Sequence, residues 1–179
     1  QIKEEYDATG NTRTFEETMK TYINGNEQYF YLDEVSPTLG QVRGKIVLLR
    51  RFSSSITPMG NYLQFKDNTI FTSITTITAV VQDCYNVPTL FDRGSKWNHF
   101  MAVMDMAIQN TDENKLFLNF GSGSSAFCYP WSVADFMTPK IGNYIENTQP
   151  KSFVGVIMFD YINSNYNKLI EILVRRNYE

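Results

Sequence analysis

Three charged residues stand at the carboxyl ends of apolar runs: Arg51 after Ile46-Val47-Leu48-Leu49-Arg50, Asp83 after Ala79-Val80-Val81-Gln82, and Asp160 after Val156-Ile157-Met158-Phe159. Asn119 follows Leu116-Phe117-Leu118 in the same way, and Lys3 and Glu5 flank the chain beside Ile2. Short apolar runs without alternation read as strands buried on both faces, as in a parallel sheet. Sheets of that kind bind ligands at their carboxyl ends, so these groups imply one polar pocket at one rim. The plainer alternative for each is a solvated strand end or a rim salt bridge.

Other residue types capable of chemistry are sparse. His99 is the sole histidine and falls in a helical stretch beside Trp97, where a surface or satisfied core position is the simplest reading. Cys84 and Cys128 show no zinc-ligand spacing and leave pairing open. Gly121-Ser122-Gly123-Ser124-Ser125 follows a strand and reads either as a phosphate cradle built from amides or as a flexible loop; neither a Walker pattern nor GxGxxG is present.

The elements that must position these groups alternate. The segment Thr12 to Ile23 places Phe15, Met19 and Tyr22 or Ile23 on one face at helical spacing, and Thr14 with Glu17 three residues on fits a capping box. Residues 45–51 form a strand, 53–68 a long strand-to-helix loop, and 75–85 a second strand. A helix with Trp97, Phe100, Met101, Met104 and Ile108 on one stripe follows, then a strand at 116–120. Helices at 133–137 and 139–147, the second with Pro139 in its first turn, lead to a strand at 153–159. A closing helix starts near Asn165, with Leu169, Ile170 and Leu173 inward and Arg175 and Arg176 at its C-terminal end. With the opening Ile2 segment this makes about five strands of an α/β barrel, against about eight in a closed one, so the chain reads as residues 1–179 of the latter part of a single barrel domain with further sequence upstream.

Composition narrows the function classes. A net charge of −3 lacks the basic footprint of a nucleic-acid binder, and 15% aromatic residues argue against disorder. No apolar run is long enough to cross a bilayer. Phe127, Tyr129 and Trp131 form an aromatic cluster that either packs beneath its loop or sits at a membrane interface.

Three long segments carry a family resemblance: Leu39-Gly40-Gln41-Val42-Arg43-Gly44-Lys45 continuing through Phe52, Val81-Gln82-Asp83-Cys84-Tyr85, and Gly155 through Asn163. Ile2-Lys3-Glu4-Glu5-Tyr6 and Pro139 through Ile145 fit the same template. Together they resemble the bacterial type of phosphatidylinositol-specific phospholipase C, in register over nearly the whole chain.

The resemblance implies a distorted TIM-type barrel that cleaves phosphatidylinositol without a metal or other cofactor. The inositol 2-hydroxyl attacks phosphorus, releasing diacylglycerol and a cyclic inositol phosphate. Position by position, Lys3, Glu5, Arg51, Asp83 and Tyr85 match the inositol-binding set, and Asp160 matches the carboxylate that orients the general-base histidine. The same resemblance implies secretion, transient contact with membrane through Phe127, Tyr129 and Trp131, and phosphatidylinositol or its glycan-linked forms as substrate.

The departure is large, because the family's two catalytic histidines lie in a half of the barrel that these residues do not match. This chain alone is therefore expected to be inactive, with the N-terminal half supplied by a second chain or a missing segment. Two other readings stay open: a non-catalytic module that binds inositol, glycan or protein, and a member of the same lipase superfamily with a different head group.

Overall fold

Thr14 opens the first helix as its spacing requires. Its hydroxyl accepts from the Glu17 amide (3.2 Å) while the Glu17 carboxylate accepts from the Thr14 amide (2.7 Å), so both orphan donors of α1 (Phe15–Ile23) are satisfied. The computed structural model describes residues 1–6, 9–149, 152–162, 167–176 and 178. The chain divides into two compact units, residues 1–65 with 73–79, and residues 66–72 with 80–179.

In the first unit the expected strand at 45–51 is two short ones. β1 (Phe30–Tyr31) pairs in parallel with β2 (Ile46–Val47), and β3 (Leu49–Arg50) pairs in parallel with β4 (Asn61–Tyr62). Leu48 is the pivot, its amide donating to the Tyr31 carbonyl (3.4 Å) and its carbonyl accepting from Asn61 (2.9 Å). The opening segment pairs as well: Ile2 N–H bonds the Leu49 carbonyl at 2.9 Å and the Arg51 amide bonds Ile2 at 2.8 Å. Ile23, Leu48, Phe52 and Met59 make the core here. Gly60 is obligatory, since its φ is +74° and a Cβ would lie 2.5 Å from the Leu48 carbonyl oxygen.

The stretch 53–68 is not one loop, because β4 lies within it. The second expected strand is also shorter than residues 75–85. β5 (Ile70–Ile74) and β6 (Thr78–Gln82) are neighbours joined through residues 75–77, a hairpin the alternating reading missed. Thr75 and Thr76 are taken out of the strand by their hydroxyls, which bond the Tyr62 backbone. Against the expected five or so strands of a barrel, the described residues hold eight, in three separate sheets ordered β1-β2, β3-β4 and β5-β6-β7-β8.

In the second unit, α2 (Arg93–Ile108) connects β6 to β7 (Lys115–Phe120), and α3 (Pro130–Glu146) connects β7 to its parallel neighbour β8 (Val156–Met158). Phe100 and Met104 of α2 pack with Val133, Met137, Ile141 and Ile145 of α3, while Val103 and Ala107 face Val80 and Phe117. The expected break at Pro139 does not occur; α3 runs straight through it. An interior proline costs about 3 kcal/mol. Met137, Ile141 and Ile145, each at most 1% exposed, offset it at about 1.5–3 kcal/mol apiece.

The last helix is seen as α4 (Asn167–Arg176), and its expected start near Asn165 lies outside the described residues. Leu169 and Ile172 are buried and Leu173 packs beside them, whereas Ile170 is 42% exposed, so the inward stripe is 169, 172, 173 and not 170. Arg176 donates to the Ile145 carbonyl at 3.1 Å, and Lys168 pairs with Glu146 at 3.3 Å, tying α4 to the end of α3.

Candidate functional site

In the first unit the two guanidinium groups that end the strand have different fates. Arg50 is buried, donating to the Phe52 carbonyl (2.9 Å) and to Glu34 (3.3 Å), and is a fold-holding residue. Arg51 is part-exposed and lies flat over Phe65, 3.4 Å from the ring centroid, which orients its planar fork. Lys3 and Glu5, both exposed, pair with each other at 3.0 Å. Beyond Arg51, the loop is anchored from α1. The Glu16 carboxylate accepts from the Ser55 amide (2.6 Å), the Ser55 hydroxyl (3.0 Å) and the Ile56 amide (3.3 Å). The Ser54 hydroxyl, followed by these Ser55 and Ile56 donors, holds the Glu16 carboxyl at about 2 against 4.5. A polar hollow of about 640 Å³ lined by Glu4, Arg13 and Glu17 also opens in this unit, but it touches none of Lys3, Glu5 and Arg51.

In the second unit the exits of β6 and β7 converge with α2 on a buried polar network. The centre is Gln82, wholly buried, with all four of its hydrogen-bonding positions used. Its Nε2 donates to Asn119 Oδ1 (2.8 Å) and to the Phe120 carbonyl (2.8 Å). Its Oε1 accepts from the Cys84 amide (2.7 Å) and from Lys96 Nζ (2.9 Å). Asn119 Nδ2 returns to the Phe100 carbonyl at 2.9 Å, closing the network onto α2.

Lys96 is 2% exposed and was not singled out from the sequence. The available signal was its place on the α2 stripe, in line with Phe100, Val103, Met104 and Ala107. Burial lowers its ammonium from 10.5 to about 8, opposed by the charges of Cys84, Asp83 and Asp160. Asp83, 9% exposed, follows β6 with its amide on the Thr69 carbonyl (3.1 Å), and its own carbonyl accepts from the Tyr85 amide (2.8 Å) in a tight turn. Tyr85 is 46% exposed, and Asp160 is part-exposed after β8, where it borders a largely apolar hollow of about 240 Å³ against α4. The second unit therefore brings Asp83 and Asp160 within the field of one buried cation.

The remaining candidates resolve simply. His99 lies exposed on α2. Cys84 and Cys128 are buried free thiols, and burial raises both. Gly121, Ser124 and Ser125 spend their amides on the Met158, Tyr85 and Cys128 carbonyls, which pins this stretch to the backbone around it at three of its five residues. Phe127 (81%), Tyr129 (70%) and Trp131 (57%) are exposed, which removes the packed alternative. Leu90 and Phe91 are exposed too, on the neighbouring segment that Ser125 joins through the Pro88 carbonyl (2.9 Å). Among the described residues no group of three or more His, Cys, Asp and Glu could hold a metal ion, and no helix is long and apolar enough to cross a membrane.

No family model matches the chain. It is 32% identical, over 89% of its residues, to a 1-phosphatidylinositol phosphodiesterase of Staphylococcus aureus strain Newman, and equally identical to that of a second strain. The chain spans about half the length of these curated relatives, 55% and 52% respectively. Among solved structures it resembles a pentafluorophenylalanine-containing phosphatidylinositol-specific phospholipase C from S. aureus, at 25% identity and a TM-score of 0.77, covering 95% of this chain and 62% of that one. The enzyme from Listeria monocytogenes, at 23% identity, shares the fold with a TM-score of 0.65, covering 95% of this chain and 61% of that one. By sequence and by fold, the chain is homologous to the bacterial phosphatidylinositol-specific phospholipases C.

Proposed function

We propose that residues 1–179 are the C-terminal part of one phosphatidylinositol-specific phospholipase C barrel and supply its inositol side. The observation that carries this is the pair of carboxylates, Asp83 and Asp160, standing at the exits of β6 and β8 of one four-stranded sheet, with Lys96 buried on Gln82 at the end of β6. Strand ends of one sheet presenting charge at a shared location are what head-group recognition needs. In this reading Asp83 of the second unit accepts from inositol hydroxyls in charge-assisted hydrogen bonds and the exposed ring of Tyr85 stacks on the sugar, while Lys3, Glu5 and Arg51 keep an inositol-binding role assigned within the first unit.

Asp160 would hold a general-base imidazole in the needed tautomer and stabilise its cation while the inositol 2-hydroxyl attacks phosphorus. That imidazole is not His99, which is exposed on α2, so the catalytic histidines belong to the N-terminal half of the barrel and this chain alone is inactive. Loss of each acid/base group removes a contribution of about 10²–10⁴-fold. The exposed set Leu90, Phe91, Phe127, Tyr129 and Trp131 supports transient seating on a phosphatidylinositol-bearing or glycan-anchor-bearing membrane. Secretion belongs to the same proposal.

The test is phosphatidylinositol cleavage by the complete barrel with EDTA present, followed by inhibition with free inositol. Arg51→Ala and Asp83→Ala should each weaken inhibition at least about tenfold, because each leaves polar partners unpaired. Activity abolished by EDTA counts against the mechanism, and unchanged inhibition in both variants removes the pocket. A second reading, a non-catalytic inositol or glycan binder, is favoured by the placement of the sole histidine; it predicts inositol binding with no cleavage even in the complete protein.

A further inference from the structure

A buried ammonium is costly to desolvate, and Lys96 is almost wholly removed from water on an otherwise apolar helix face. Its ammonium donates to a neutral amide, Gln82 Oε1 at 2.9 Å, and the network around that amide shows what the arrangement achieves. Flipping Gln82 would turn its NH₂ onto the Lys96 ammonium and the Cys84 amide, both donors, and would strip the Asn119 Oδ1 and Phe120 carbonyl acceptors of theirs. Lys96 therefore adds a charged donor, beside the Cys84 amide, to the set that holds one orientation of Gln82. In that orientation Gln82 Oε1 holds the Cys84 amide at 2.7 Å, which bends the chain directly after β6. The same bend carries the Asp83 carbonyl to Tyr85 N–H contact (2.8 Å) and the Tyr85 carbonyl to its bond from the Ser124 amide (2.8 Å).

We propose that Lys96 is a positioning residue for head-group binding: together with the Cys84 amide it holds the orientation of Gln82 that sets the turn presenting Asp83 and Tyr85. This rests on the phosphatidylinositol reading for what the turn binds, but not for the turn itself. The charged or titratable groups that act on the ammonium are Cys84 and Asp83 after β6 and Asp160 after β8; Gln82 and Asn119 are neutral. Its titration near pH 8 makes the device readable in the wild-type protein.

The experiment uses the complete protein, with free inositol as the probe. In the wild type, inositol binding should weaken about tenfold between pH 7 and pH 9 as Lys96 loses its proton, and Lys96→Arg, which stays charged, should remove most of that dependence. Lys96→Met should weaken inositol binding already at pH 7 and raise amide exchange at Cys84 and Tyr85, the two backbone N–H groups of the turn. Wild-type and Lys96→Arg profiles that coincide across this window overturn the proposal, and these two proteins suffice if Lys96→Met does not fold. If no inositol binds at any pH, the phosphatidylinositol reading fails on its own; Cys84 and Tyr85 amide shifts that stay unmoved in wild type between pH 7 and pH 9 then overturn this inference separately.

Discussion

Replacing Lys96 by methionine should make the protein more stable while weakening the proposed head-group site. The drop of the ammonium from 10.5 to about 8 is the measure: it corresponds to about 3 kcal/mol of penalty on the charged form near neutral pH, at 1.36 kcal/mol for each tenfold change. Methionine has similar length and no charge to desolvate. It forfeits one hydrogen bond to Gln82, of about 1 kcal/mol, but Gln82 Oε1 keeps the Cys84 amide and is not orphaned. The net expectation is a gain of about 2 kcal/mol at pH 7. The pH dependence carries the same signature. A folded value depressed below the unfolded one means that the unfolded chain binds more protons between pH 8 and 10.5, so wild-type stability gains from this group as pH rises through that window. Lys96→Met lacks the term, and its advantage over wild type should shrink across the same window. Urea unfolding of both proteins at pH 7 and pH 9.5 measures it. A variant destabilised by about 3 kcal/mol or more at pH 7, with the same pH dependence as wild type, would falsify the view of Lys96 as a strained, function-serving cation.

The other expectations are simpler. Glu16, lowered to about 2 from 4.5, anchors the loop after Arg51, so its contribution is present above pH 4.5 and is lost as pH falls through about 2; Glu16→Gln should raise amide exchange at Ser55 and Ile56 at neutral pH, and equal exchange rates in the two proteins would reject the anchor. Gly60→Ala forces a Cβ to 2.5 Å from the Leu48 oxygen at a φ of +74° and should cost more than about 1 kcal/mol in thermal or urea unfolding; an unchanged midpoint would contradict the close approach. Phe127→Ala with Trp131→Ala should lower partitioning to vesicles about tenfold without altering inositol binding, and unchanged partitioning would remove these rings from the membrane surface.

Much of the site was legible because it depends on local order. The capping box at Thr14 and Glu17, the apolar stripe of α2 and the polar residues closing β3, β6 and β8 are patterns of neighbouring residues, and a pattern of that kind survives without tertiary context. The same local reading failed wherever distant partners outvoted it. The apolar run to Arg51 splits at Leu48 because its backbone serves Tyr31 on one side and Asn61 on the other. Thr75 and Thr76, strand-prone by type, leave the strand because Tyr62 offers their hydroxyls backbone partners. Pro139 stays inside α3 because burial on either side of it outweighs a lost hydrogen bond.

From residue order alone came the types and positions of the charged strand ends, the α/β alternation and the family resemblance, since each is written in near-neighbour spacing. Only the folded chain decided which lysine is buried, which of two adjacent arginines is structural, and which aromatics face water. Burial is a sum over contacts from segments far apart in sequence, so no window along the chain contains it; Lys96 and Gln82 are fourteen positions apart, and the bond between them exists only once β6 and α2 have packed.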